Sequence, residues 1–194
     1  STRGCWAGGD DANSRDTICY ITLASLGNAL DFGDPTVARQ DMIGMASATR
    51  GLFCGGEGGG SKLDTVDYIT IASTGNAIDF GDLLDISVLG SGAANTVTAI
   101  YGGGSDTGSA GGTVDVIQER TIASTGNLSQ AIYALTAASS STRVLFAGGS
   151  TSSSVRIDEI QYITIASAGN AVDFGDLLQG TNSLASASAV QGNL

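Results

Sequence analysis

The phrase "YITIASTGNAIDFGD" occupies Tyr68 to Asp82, and close versions of it stand at Tyr20 to Asp34 and at Tyr162 to Asp176. A second marker recurs with it. Short apolar strings end in paired glycine at Gly8-Gly9, Gly55-Gly56, Gly102-Gly103 and Gly148-Gly149. The second glycines, Gly9, Gly56, Gly103 and Gly149, stand 47, 47 and 46 residues apart. Four copies of one unit therefore fill the chain, and a fixed period of this size constrains the fold more than any local pattern does.

Within each unit the order is constant: an apolar string to Gly-Gly, a variable polar stretch, a phrase of the type "VDYITIAS", a turn, "NAIDFGD", and a Ser/Ala-rich return. The apolar segments are short, rich in Ile, Val, Thr, Tyr and Phe, and bounded by Gly, Ser, Asn or Asp, which is the strand signature. None carries a sustained 3.6-residue period. Gly27-Asn28, Gly75-Asn76, Gly126-Asn127 and Gly169-Asn170 place a turn-forming pair between two strands of each unit. Alternation inside the strands is weak, as expected of a sheet covered on both faces.

These features predict an all-β fold, a four-bladed β-propeller built from repeats of about 47 residues, with 1–194 as a single domain. The units run over approximately 1–48, 49–96, 97–141 and 142–194. "STRG" at Ser1 to Gly4 is in phase with "ATRG" at Ala48 to Gly51, and "ASASAV" at Ala185 to Val190 with "ASSSTR" at Ala138 to Arg143. Start and end share one point of the repeat, so a ring is expected to close by laying the last segment beside the first. The alternative is an excerpt from a longer array. Because the sequence begins at Ser1 rather than Met, it reads as a processed product or part of a longer chain.

Composition narrows the partners. The 42% hydrophobic content suffices for a core, while 19 acidic against 8 basic residues give a net charge of −11. Such a surface repels phosphate backbones, so no nucleic-acid partner is expected. No apolar run approaches the ~18 residues of a membrane-spanning helix, and no membrane insertion is expected. Cys5, Cys19 and Cys54 show no CxxC spacing, and there is no histidine to complete a zinc shell. They read as small apolar core residues, with a single disulfide left open.

The Gly-Gly strings, followed 11 to 13 residues later by Tyr20, Tyr68 or Tyr162, resemble the kelch motif of β-propellers. A kelch repeat also carries a Trp about six residues after that Tyr, whereas Thr or Gly stands thereabouts here and the single Trp, Trp6, lies in another strand. The fuller phrases "TIASTGNAxDFGDL" and "STRGxFxGG" resemble kelch-like repeats in virion proteins of tailed bacteriophages, notably marine ones. That resemblance implies a particle- or fibre-associated protein in a virion or extracellular setting.

Several residues invite chemistry. "DFG" at Asp79 to Gly81 matches a kinase triplet, but it recurs at Asp31 and Asp173 without an HRD segment, so Phe32, Phe80 and Phe174 are expected as repeated core anchors and the glycine as a bend or bulge. The pairs Asp31/Asp34, Asp79/Asp82 and Asp173/Asp176 are candidate calcium ligands if gathered around a channel; otherwise they are solvated or cap turns. No other cofactor is expected. Asn127-Leu128-Ser129 is a glycosylation sequon on a predicted turn. The loops Gly102 to Gly112 and Gly148 to Arg156 vary where the rest repeats, and recognition commonly resides in such loops. Without histidine or a GxSxG elbow, no enzymatic activity is expected. The expected role is a structural or attachment module, in several copies, contacting other virion proteins; the alternative is a domain that binds a host-surface glycan.

Overall fold

The computed structural model describes residues 2–105, 113–118, 121–167 and 169–187, and within these the fold is entirely β. The strands are β1 (Arg3–Ala7), β2 (Ile18–Thr22), β3 (Leu30–Gly33), β4 (Ile43–Ala46), β5 (Arg50–Cys54), β6 (Glu57–Gly58), β7 (Ser61–Lys62), β8 (Thr65–Thr70), β9 (Ile78–Asp82), β10 (Ser91–Ala94), β11 (Thr98–Gly102), β12 (Thr113–Gln118), β13 (Thr121–Asn127), β14 (Thr136–Ser139), β15 (Arg143–Ala147), β16 (Glu159–Thr164) and β17 (Val172–Asp176). They form four antiparallel sheets in chain order: β1-β2-β3, β4-β5-β8-β9, β10-β11-β12-β13 and β14-β15-β16-β17, with β6-β7 as a separate small hairpin. We refer to the four as sheets 1 to 4.

Adjacent sheets pack face to face through three apolar clusters. Ile18 and Phe32 of sheet 1 meet Phe53, Ile69 and Ala77 of sheet 2. On the other face of sheet 2, Met45, Cys54 and Val66 meet Ala99 and Tyr101 of sheet 3. Ile100 of sheet 3 meets Val144, Phe146 and Ile163 of sheet 4. Sheets 2 and 3 are thus covered on both sides, which removes the need for a polar face and accounts for the weak alternation in their sequences.

Every sheet bulges at the same place. The register of the last two strands slips between Ile18/Cys19, Val66/Asp67, Val114/Asp115 and Ile160/Gln161. The bulge is followed by a glycine at positive φ, Gly33 (144°), Gly81 (133°), Gly126 (152°) or Gly175 (138°), a conformation nearly closed to L side chains. In three sheets the preceding aspartate fastens it: the amides of Gly33, Gly81 and Gly175 donate to Asp31, Asp79 and Asp173 Oδ1 at 3.2, 2.9 and 2.9 Å. The "DFG" triplet is therefore a bulge motif.

The third unit departs from the expected alignment at two places. Its paired glycines with left-handed φ are Gly103 (68°) and Gly104 (104°), equivalent to Gly8/Gly9, Gly55/Gly56 and Gly148/Gly149, so the pair is not Gly102-Gly103. Gly126-Asn127 is not the turn between two strands either; it ends β13 at the bulge, where the other copies read Gly-Asp. The cause is a shortened hairpin: two residues, 119–120, separate β12 from β13, against seven in 23–29, 71–77 and 165–171.

Sheets 1, 2 and 4 share a stack on the face turned toward the end of the series. The guanidinium groups of Arg3, Arg50 and Arg143 lie 4.5, 4.8 and 4.4 Å from the ring centres of Tyr20, Tyr68 and Tyr162. Each tyrosine meets Phe32, Phe80 or Phe174 edge-on. Since Arg143 is exposed, Arg143→Ala is expected to cost only about 0.5–1 kcal/mol in a urea unfolding titration; a loss above 2 kcal/mol would mean the stack holds the sheet together.

The two ends of the series are uncovered. Phe32 is 3% exposed, yet its counterpart Phe174 on sheet 4 is 56% exposed, so Phe174 is not the core anchor expected of it. Trp6, the counterpart of buried Phe53 and Phe146, is 53% exposed on sheet 1. Sheet 1 has three strands with β1 at its edge, and among the described residues the last segment does not pair with it.

Candidate functional site

The joint between consecutive sheets is where the sequence repeat turns into specific chemistry. The amide of the second glycine after β1, β5, β11 and β15 donates to a carbonyl in the loop leaving the same sheet: Gly9 to Arg39, Gly56 to Ser87, Gly104 to Ile132 and Gly149 to Thr181, at 3.1, 2.9, 2.9 and 2.8 Å. Two residues beyond each carbonyl, Asp41, Leu89, Ala134 and Ser183 sit at φ of 56°, 57°, 53° and 55°. Non-glycine residues seldom adopt this conformation, so its fourfold recurrence marks a required kink. The residue between then exchanges two backbone bonds with the residue that follows the glycine pair of the next unit, as Gln40 with Glu57, Val88 with Ser105 and Tyr133 with Ser150.

Among the described residues, a second set of bonds forms at the bulge in the joints of sheets 1 with 2 and of sheets 3 with 4. Between sheets 1 and 2, Gly75 N donates to Phe32 O (2.7 Å), Ala77 N to Asp34 O (2.8 Å), and Asp34 N to Asn76 Oδ1 (3.2 Å). Between sheets 3 and 4, Ala171 N donates to Asn127 O (2.9 Å) and Asn127 N to Asn170 Oδ1 (3.1 Å). The glycines press together here: a Cβ on Gly33 would stand 2.5 Å from Gly75, and one on Gly126 2.2 Å from Gly169. The Gly-Asn pairs at 75-76 and 169-170 thus grip the preceding sheet.

One joint encloses an ion pair. Arg39 and Asp67 are both fully buried, with Arg39 Nη2 2.8 Å from Asp67 Oδ2. Arg39 also donates to the carbonyls of Thr65 (3.1 Å) and Phe53 (3.2 Å), while Asp67 accepts from the amide (3.0 Å) and hydroxyl (2.6 Å) of Thr36. Burial pulls the guanidinium below its ordinary pKa, opposed by the Asp67 charge. Neither residue stood out in the sequence. The available signal was a difference between copies: position 67 is occupied by Cys19, Asp115 and Gln161 elsewhere, and position 39 by Ser87, Ile132 and Thr181. At the joint of sheets 3 and 4, Gln161 takes the neutral version of the role, accepting from Ser129 N at 2.8 Å.

The candidate calcium ligands stay on separate sheets. Asp31, Asp79 and Asp173 each hold a bulge glycine, and among the described residues no group of three or more Cys, Asp or Glu side chains is placed to hold a metal ion. Slight desolvation, then the charges of Asp64 and Asp79, raise the pKa of the exposed Asp82 above the ordinary carboxylate value. The folded state then holds that proton more tightly than the unfolded chain, so this group opposes folding once ionised and the penalty is relieved as pH falls through its folded pKa. Asp82→Asn is expected to raise the melting temperature slightly at pH 7 and to leave it unchanged at pH 3; a lower midpoint at pH 7 would show that the carboxylate has a stabilising partner.

The sequon Asn127-Leu128-Ser129 is built into a joint, since Leu128 is core and the Ser129 hydroxyl donates to Glu159 Oε2 at 2.6 Å. No disulfide joins Cys5, Cys19 and Cys54; Cys54 is buried, and burial is the main cause that raises the Cys5 pKa. Of the variable loops, 148–156 is described and mostly exposed at its tip, whereas 106–112 lie outside the described residues. A shallow cleft of about 160 Å³ opens between sheets 2 and 3, lined by Arg50, Phe80, Asn95, Val97 and Thr98 among others. No protein-family model matches the chain, and no curated protein matches it.

Proposed function

We propose that the chain is a non-enzymatic structural module, its four sheets consecutive blades of a β-propeller type that stands open at both ends of the series, which serves assembly or attachment on a virus particle or fibre. The observation that carries this reading is the economy of the joints. The polar side chains that recur from unit to unit hold backbone: aspartates on bulge glycines, asparagines on neighbouring amides. The apolar surface left exposed includes Trp6 and Phe174 at the two ends of the series, a feature by which proteins dock to proteins. The resemblance to phage virion repeats supplies the setting.

Host-glycan recognition is the second reading, favoured by the cleft at Arg50 and Phe80, where a guanidinium, an aromatic edge and side-chain amide and hydroxyl groups surround a space of about 160 Å³. Two measurements separate the readings. Antibodies raised against the chain should label tails or fibres of virus particles from the source material, and a glycan array probed with the purified protein should be blank. Selective array hits abolished by Arg50→Ala would replace the assembly reading with the glycan one. Sugars released from host envelope material would overturn the non-enzymatic assignment.

A further inference from the structure

We infer that the two uncovered ends are the two halves of one further joint, and that the joint is completed by a second copy of this chain docking tail to head. This deepens the assembly reading, on which it rests for its biological setting, by naming the partner and the surfaces.

The tail is prepared as though another sheet followed. Gly149 donates to Thr181, and Ser183 takes the left-handed kink, as happens before each internal joint. The segment 183–187 then lies on β14: Ser183 N donates to Ala134 O (2.8 Å), and Thr136 Oγ1 to Ser186 Oγ (2.8 Å). This is the place in the series held earlier by β4, β10 and β14, each the first strand of its sheet. Among the described residues sheet 1 has no such first strand, and β1 offers the edge it would occupy.

The bulge surfaces match as well. Phe174 and Asp176 on the tail correspond to Phe32 and Asp34, whose carbonyls accept from Gly75 and Ala77. The head of a second copy carries the same grip, Gly27-Asn28-Ala29, fully exposed. A Cβ on Gly33 or Gly126 would strike the next sheet, while one on Gly175 would meet nothing within 4 Å. Gly27 lies outside the positive-φ set to which its docked counterparts Gly75 (150°) and Gly169 (154°) belong. One contact is missing from the set: position 67 on the head is Cys19, which offers no carboxylate or amide oxygen to the Leu178 amide. The intermolecular joint is accordingly weaker than the internal ones.

Sedimentation velocity of the purified chain over a concentration series tests this. The wild type is expected to associate with rising concentration, and more strongly with added salt, because each copy carries a net charge of −11. Trp6→Glu, blocking the head, and Phe174→Glu, blocking the tail, should each weaken association by about tenfold or more. Both side chains are more than half exposed, so the folded monomer should keep its melting temperature. Mixing the two variants should restore a one-to-one complex, because each retains the half that the other lost. A monomer at every concentration with solvent-exposed Trp6 fluorescence would overturn the inference, as would a monomer with buried Trp6, which signals closure within one chain. Failure of the mixture to recover would overturn the tail-to-head geometry. Self-association of a protein absent from virus particles would instead sink the virion reading and leave this joint intact.

Discussion

Asp67→Ala is expected to lower the unfolding free energy by about 3–5 kcal/mol, the largest effect of any single side chain here. The loss does not measure the strength of the pair. Arg39 has no exposed surface, so removing its counter-ion leaves a buried charge with only backbone carbonyls to oppose it, and the Thr36 amide and hydroxyl lose their acceptor in the same step. The pair Arg39→Met with Asp67→Leu is expected to recover part of that loss, since desolvation of both charges disappears with them. Urea titrations of the single and double variants, fitted with a common slope, provide the check. A single-variant loss below about 1 kcal/mol would mean that water reaches the pair.

Gly55→Ala is expected to cost about 2–4 kcal/mol, whereas Gly59→Ala costs about 1 kcal/mol. The two glycines have nearly the same backbone, φ of 62° and 59°, so the intrinsic penalty for an L residue is shared. They differ in their surroundings. A Cβ on Gly55 would stand 2.3 Å from the Ser87 carbonyl oxygen, backbone that is itself tied to Gly56, while one on Gly59 would meet nothing within 4 Å. Thermal unfolding of both variants isolates the cost of forcing a joint apart; equal destabilisation would show that the Gly-Gly turn yields and that the joint is not closely packed.

Both predictions concern residues of contrasting visibility. Gly55 announced itself through its place in a pair that recurs at a fixed interval, and the bulge glycines did so through "DFG". Each of these satisfies a demand on its own φ, which a single residue can meet and which therefore repeats wherever the backbone repeats. Arg39 and Asp67 are 28 residues apart, and nothing local requires either. The third unit shows the same limit from the other side. "STGN" at Ser124 to Asn127 stands where the other copies carry their turn, yet here it ends a strand, because the loop between the paired strands is five residues shorter and the words slide along the backbone.

The sequence by itself determined the period, the all-β class, the glycine turns and the bulges, because these follow from steric limits on individual residues and from side-chain patterns within a few positions. Only the tertiary structure decided which carboxylates hold backbone, that a buried charge pair locks the first joint, and that Trp6 and Phe174 face solvent while their counterparts do not. Those outcomes depend on which face of a sheet another sheet covers. A repeated phrase cannot carry that information, since identical words lie under cover in the middle of the series and bare at its ends.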